Sequence, residues 1–219
     1  MFTRFALLAA PFALAAAASA QDDPAPAPPP APAGTHETAL VVIETELGDI
    51  TARIETERAP VTAANFLRYV DEGRFDGTVF YRAMPLEWGE QPNGLIQAGT
   101  QHDPERVLPP IAHEPTSETG VTHVRGALSM ARNAPGTATG DFSIVLQEQP
   151  GMDADPASDD PELRAGYAAF GRVVEGMDVV EAIHAAPTDP DAGEGWMKGQ
   201  MLDPPIEIVK IRRVPADES

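Results

Sequence analysis

The sequence contains no cysteine, so disulfides, thiolate nucleophiles and cysteine-held metals or clusters are excluded. Aromatic residues are scarce, 6% of the chain with two tryptophans and three tyrosines. Bases are few: 15 Lys and Arg face 34 Asp and Glu, a formal charge of −19. Such a surface repels phosphate backbones and anionic headgroups, which argues against a nucleic-acid partner and favours solubility. Also missing are a Gly-x-Ser-x-Gly elbow, His-Glu-x-x-His, a P-loop and Gly-x-Gly-x-x-Gly. The five histidines, at 36, 102, 113, 123 and 184, show no ligand spacing. The acidic runs 153–160 and 189–194 match no EF-hand loop and read as solvated loops. No cofactor and no metal is expected.

What is present begins with a leader. Arg4 precedes an apolar run from Phe5 to Ala18, and Ala18-Ser19-Ala20 fits the small-x-small rule for signal peptidase, predicting cleavage after Ala20. The run is short for a membrane span, which needs roughly 20 residues; an uncleaved anchor is the alternative reading. Export without cysteine means that the fold stands on its core. Residues 21–37 carry proline at 24, 26, 28, 29, 30 and 32. Proline fixes φ and removes backbone donors, so this segment is expected to be an extended tether outside the fold, with a proline-rich docking ligand as the alternative. One domain is expected over 38–214, followed by an acidic tail over 215–219.

Within that domain, Leu40-Val41-Val42-Ile43 reads as a strand turned at Leu47-Gly48-Asp49-Ile50 into Thr51–Ile54. Pro60 suits the first turn of a helix whose apolar face is Val61, Ala64, Phe66, Leu67 and Val70, stopped by Gly73. Short apolar runs follow at Phe75–Phe80, Leu95–Gln97, Gly126–Met130, Phe142–Leu146 and Tyr167–Val173, separated by Gly and Pro. A second helix is predicted from Met177 to Ala185 and a last strand over Pro205–Ile211. Many short strands with two helices point to an antiparallel barrel or sandwich.

Three segments carry a more specific signal: Phe80-Tyr81-Arg82 with Gln97-Ala98-Gly99 fifteen residues on, Gly126-Ala127-Leu128-Ser129-Met130-Ala131-Arg132, and Ala169-Phe170-Gly171-Arg172-Val173. Together with Ala59–Leu67 and Val174–Val180 they resemble the cyclophilin family of peptidyl-prolyl cis-trans isomerases over about Leu40–Val214. Met130-Ala131-Arg132 and Pro135–Thr139 look closer to the bacterial, exported branch. The resemblance implies a mainly β fold, an eight-stranded antiparallel β-barrel capped by two α-helices. It implies a reaction that breaks no covalent bond, rotation of an X-Pro amide.

The family's catalytic arginine falls at Arg82. Gln97 matches the glutamine that orients it or the substrate. Leu95 takes an apolar pocket position, Ala131 and Arg132 the groove where the peptide backbone lies, Leu163 an apolar wall and Tyr167 a hydrogen-bonding ring. Where bacterial relatives carry Gln-Phe-Phe, this chain has Asp141-Phe142-Ser143, so Ser143 stands where the second ring would floor the proline pocket. Losing that ring would forfeit about 1–3 kcal/mol of apolar burial. Asp141 introduces a carboxylate that could pair with Arg82 or Arg132. The interval 86–94 is an insertion in which Trp88 either folds over the site as a replacement aromatic wall or points into solvent.

The expected function is isomerisation of X-Pro bonds in exported proteins, with proline-containing polypeptides as partners, no membrane contact after cleavage, a monomeric state and a periplasmic or secreted location. The alternative is a weakly or non-catalytic peptide-binding chaperone or scaffold with the same fold; a tethered structural role has weaker support.

Overall fold

Ile43 lies in register with Ile50 on one side and with Ile211 on the other, and all three side chains are buried. That double pairing closes the sheet. The computed structural model describes residues 36–215; the leader over 1–20, the segment 21–35 and residues 216–219 lie outside the described residues.

In chain order the elements are β1 (Ala39–Thr45), β2 (Gly48–Ile54), α1 (Pro60–Asp71), β3 (Thr78–Pro85), β4 (Gly94–Gly99), α2 (Thr116–Thr119), β5 (Ala127–Met130), β6 (Phe142–Val145), α3 (Pro161–Ala165), β7 (Ala169–Glu175), α4 (Met177–His184), β8 (Thr188–Asp189) and β9 (Met201–Arg213). Every strand pair is antiparallel. The ring runs β1-β2-β7-β5-β6-β4-β3-β9 and returns to β1, while the two-residue β8 adds to β9 outside it. This is the expected eight-stranded barrel, and closure leaves its strands no open edge for another chain to extend. The two long helices are the two expected. Two short helices, α2 and α3, accompany them, each ended by a glycine at positive φ, Gly120 and Gly166.

The α1 helix differs from the expected phase. Its buried residues are Thr62, Ala63, Asn65, Phe66, Leu67, Tyr69 and Val70, whereas Val61 and Ala64 are exposed. The polar members are satisfied: the Thr62 hydroxyl donates to Glu114 Oε2 at 2.6 Å and Asn65 Nδ2 to the Thr139 carbonyl at 2.7 Å. Glu114 also accepts from the Val61 and Thr62 amides, so a carboxylate from a distant loop caps the helix and sets its rotation. Apolarity alone could not reveal that phase.

The core is a phenylalanine cluster ringed by aliphatics. Phe66 lies 5.3 Å from Phe75, 5.3 Å from Phe142 and 5.1 Å from Phe170, centroid to centroid. Phe142 meets Phe66 edge-on and also contacts Phe75 and Phe80, the arrangement ring quadrupoles favour. Gly140 fits only as glycine, because a Cβ there would come within 2.5 Å of the Tyr69 ring. From α4, Val180 and Ile183 enter the same core.

One irregularity in β3 determines where the chemistry sits. Phe80 pairs with Ala98 but Arg82 with the very next residue back, Gln97, and the register to β9 breaks at the same point, jumping from Ile206 to Met201. Tyr81 is therefore an extra residue, a β-bulge, and bulges re-aim side chains. Without it Phe80 and Arg82 would share a face. With it Phe80 packs into the barrel core while Tyr81 and Arg82 line a cavity on the outside.

Candidate active site

The cavity has a volume of about 520 Å³ and lies against the outer face of β3, β4, β6 and β5. The register lays a polar row across its wall: Arg82 opposite Gln97, Gln97 opposite Ser143, and Ser143 opposite Ser129. Below the row lies a small apolar cluster of Leu95, Ala127 and Val145 with Met84 and Met152. Five of the chain's seven methionines, Met84, Met130, Met152, Met197 and Met201, line this one cavity. The polarizable, unbranched thioether fills irregular space and adapts to varied shapes.

Arg82 is 3% exposed and pairs with no carboxylate among the described residues. Neutral oxygens hold it instead. Nη1 donates to Gln97 Oε1 at 2.8 Å, and Nε and Nη2 both donate to Gln200 Oε1 at 2.9 and 2.7 Å. The guanidinium lies over the Trp196 ring at 4.4 Å. Three of its five N–H groups are so engaged, which leaves one on each terminal nitrogen without a protein acceptor among the described residues. Burial lowers the arginine's pKa, yet a guanidinium stays charged at any physiological pH. The result is a desolvated positive charge that no carboxylate among the described residues pairs with.

Arg132 forms the opposite wall. Its guanidinium lies over the Tyr167 ring at 4.6 Å, with Nη1 on Glu162 and Nη2 on the Gly166 carbonyl at 2.8 and 2.7 Å. Tyr167 and Ala131 line the cavity with it. Asp141 reaches the cavity too but makes no ion pair with either arginine; its Oδ1 accepts the Gln101 amide at 2.8 Å. Burial pushes its carboxyl upward, against the hydrogen bonds and the nearby His102.

The structure thus gathers Arg82, Leu95, Gln97, Ala131, Arg132, Asp141, Ser143 and Tyr167 around one cavity. It does not bring in three other residues expected there. Phe142 alternates with Ser143 along β6 and points into the barrel, fully buried. Leu163 sits on α3, half exposed. Trp88 caps the β3–β4 hairpin, 56% exposed and away from the cavity. There the Asn93 side chain pins the insertion, donating to the Trp88 carbonyl and accepting from the Gly94 amide and Gln149. The ring beside Arg82 is Trp196, and the second amide is Gln200; neither stood out in the sequence, because the only cue was a tryptophan amid the glycines 193, 195 and 199.

A second cluster underlies the row. Ser129 Oγ lies 2.8 Å from His123 Nε2, and His123 Nδ1 lies 2.6 Å from Asp153 Oδ1, which also accepts the His123 amide. A carboxylate can only accept, so Nδ1 carries the ring hydrogen and Nε2 accepts from the serine. Asp153, in a run read as solvated, is therefore a structural acceptor. In the same run Asp160 caps α3 by accepting the Glu162 amide. His123 is fully buried, and burial lowers its pKa from the ordinary 6.5 against the pull of Asp153. The unfolded chain then binds a proton below about pH 6.5 that the folded chain resists, so stability falls as the pH drops beneath that value. Unfolding free energy measured by urea at pH 8 and pH 5 should show this slope, and His123→Gln should flatten it; an unchanged slope would show that His123 does not carry it.

The sequence pattern described as cyclophilin type peptidyl-prolyl cis-trans isomerase matches residues 40–214. A peptidyl-prolyl cis-trans isomerase of Acinetobacter baylyi is 32% identical over 177 residues, covering 79% of this chain and 84% of that one. Peptidyl-prolyl cis-trans isomerase B of Escherichia coli is 32% identical over 185 residues, covering 82% and 100%. Among solved structures, a Cryptosporidium parvum cyclophilin type peptidyl-prolyl cis-trans isomerase superposes with a TM-score of 0.60 at 21% identity, covering 82% of this chain and 99% of that one.

Proposed function

The chain belongs to the cyclophilin-type peptidyl-prolyl cis-trans isomerase family, and from that premise we propose that its cavity speeds X-Pro rotation through Arg82. The observation that carries this reading is a buried guanidinium on the wall of the cavity that, among the described residues, keeps N–H groups unengaged and pairs with no carboxylate.

The barrier to amide rotation, ~18–20 kcal/mol, comes from resonance between the nitrogen lone pair and the carbonyl. As the bond twists, the prolyl nitrogen pyramidalises and its lone pair becomes an acceptor. A donor placed there binds the twisted amide better than either planar form, and that difference is the catalysis. Arg82 carries its full charge because Gln97 and Gln200 are neutral. A carboxylate in their place would have spent that charge within the protein. The apolar cluster of Leu95, Met84 and Met152 supplies a surface for the proline ring where Ser143 offers none, and the methionines suit a site that meets many flanking residues. Gln97, Ala131 and Arg132 line the path of the peptide backbone.

A proline-exchange assay on a short X-Pro peptide tests the reading. Exchange faster than the thermal rate supports it, and exchange at the thermal rate overturns it. A peptide-binding chaperone without catalysis is the second reading, favoured by Ser143 on the cavity wall; binding of proline peptides without acceleration would select it.

The leader supports a site of action outside the cytoplasm: the protein works in the periplasm or is secreted, acting on exported proline-containing chains. The expected mature N-terminus is Gln21, checked by sequencing protein recovered from a fractionated cell; an N-terminus upstream of Ala20 on membrane-bound material would show an uncleaved anchor instead.

A further inference from the structure

We propose that Gln200 and Trp196, from the segment between β8 and β9, act as a positioning clamp that fixes the orientation of Arg82. The inference rests on Arg82 being the donor of the reaction.

The clamp grips one edge and one face of the guanidinium. Gln200 Oε1 accepts from Nε and Nη2 together, and the ring of Trp196 lies beneath the plane. Gln97 alone, with one bond to Nη1, would leave the group free to pivot about that bond. Two acceptors at different edges and a ring on the face remove the pivot, and a planar fork loses little further entropy once held this way.

Gln200 is itself held. Its Nε2 donates to the Trp196 carbonyl at 2.9 Å, so only one amide orientation satisfies both ends and the oxygen must face Arg82. Its own carbonyl accepts the Ala83 amide at 2.9 Å, and the next residue, Met201, lies in register with Arg82. The side chain is thus delivered by the β3–β9 ladder beside the bulge that turns Arg82 outward.

The segment carrying Trp196 is shaped for the purpose. A 3-10 turn over Gly195–Met197 is closed on both sides by backbone bonds, Met197 N to Glu194 O and Gln200 N to Met197 O, and Gly199 N returns to Ala192 O. A Cβ at Gly193 would approach the Met197 carbonyl to 2.6 Å at a φ of 86°, so the turn needs glycine there. The indole it presents is 70% exposed. A tryptophan kept so far out of the core contributes little as packing; here it touches the guanidinium and the cavity rim.

The test uses the full-length chain in the proline-exchange assay, with far-UV circular dichroism and melting confirming the fold of each variant. Gln200→Leu, which keeps the bulk and removes the acceptor, should lower kcat about tenfold or more with KM changed less than about twofold, the signature of misplacing a group that acts in the transition state. Gln200→Glu keeps an oxygen for both N–H groups but sets a carboxylate against the guanidinium and loses the bond to the Trp196 carbonyl, so its kcat should stay well below the parent. Trp196→Ala should lower kcat and Trp196→Phe should hold it; because Trp196 is exposed, this pair stands even where Gln200→Leu does not fold. In a Trp88→Phe background Trp196 is the sole indole, and its emission should shift on Arg82→Ala. Parent kcat in both Gln200→Leu and Trp196→Ala, with Arg82→Ala inactive, overturns the clamp and leaves the isomerase reading intact. Parent kcat in Arg82→Ala overturns the clamp together with the mechanism it rests on.

Discussion

Arg82→Ala is expected to lower kcat/KM on an X-Pro peptide by about 10²- to 10³-fold, the range seen when one preorganised donor to a developing acceptor is removed from a desolvated site. That loss corresponds to about 2.7–4 kcal/mol of transition-state stabilisation. The guanidinium sits where water is largely excluded, since the side chain is 3% exposed, and no carboxylate among the described residues shares its charge. Each N–H therefore counts for more than it would at the surface. Arg82→Lys is expected to fall nearer to alanine than to the parent, because an ammonium cannot reach Gln97 and Gln200 at once while offering a third donor to substrate. The fold should survive both changes, since the residue contributes a desolvated charge and little core packing. Single-turnover or exchange spectroscopy on one peptide, with the three proteins compared, decides it: an alanine variant as fast as the parent removes the arginine from the mechanism.

Phe142→Ala is expected to destabilise the domain by about 3–5 kcal/mol, the usual cost of emptying a buried phenylalanine site. Its ring is fully buried and meets Phe66, Phe75 and Phe80 at 5.3, 5.5 and 6.2 Å, so three neighbours lose a partner at once. The same change should leave KM for the peptide close to the parent value in the protein that remains folded. Urea unfolding and the exchange assay on the same preparations separate the two effects. A raised KM with unchanged stability would mean that this ring reaches the cavity after all.

That contrast between neighbours shows what the sequence could and could not convey about the site. The run Asp141-Phe142-Ser143 aligns with a substrate-facing stretch, but a strand sends consecutive side chains to opposite faces. Ser143, in register with Gln97, and Asp141 share the cavity face, while Phe142 between them faces the core. Arg82 and Gln97 were legible because their spacing is local: a hairpin joins the two strands that carry them. Gln200 lies 118 residues from Arg82, with no pattern connecting the two. The aromatic expected at Trp88 came instead from Trp196, because the β3–β4 insertion closes on Asn93 and projects away, while the β8–β9 segment folds inward.

The phase of α1 follows the same logic. The sequence marks the helix by Pro60 and its apolar spacing, but its rotation is set by Glu114, whose carboxylate meets the Val61 and Thr62 amides from another part of the chain. Local signals give an element's existence; long-range hydrogen bonds give its orientation.

By itself, then, the sequence determined the family, the strand and helix order, an acidic cysteine-free domain, and the proximity of Arg82 and Gln97, since each depends on composition or on residues near one another in the chain. Tertiary structure alone decided that Tyr81 bulges so that Arg82 faces outward while Phe80 faces in, that a methionine-lined cavity stands where a phenylalanine floor is absent, and that Gln200 and Trp196 grip the guanidinium. The reason is physical: periodicity fixes the face of a residue only while the ladder stays regular, and one inserted residue reverses that face at no visible cost in the sequence.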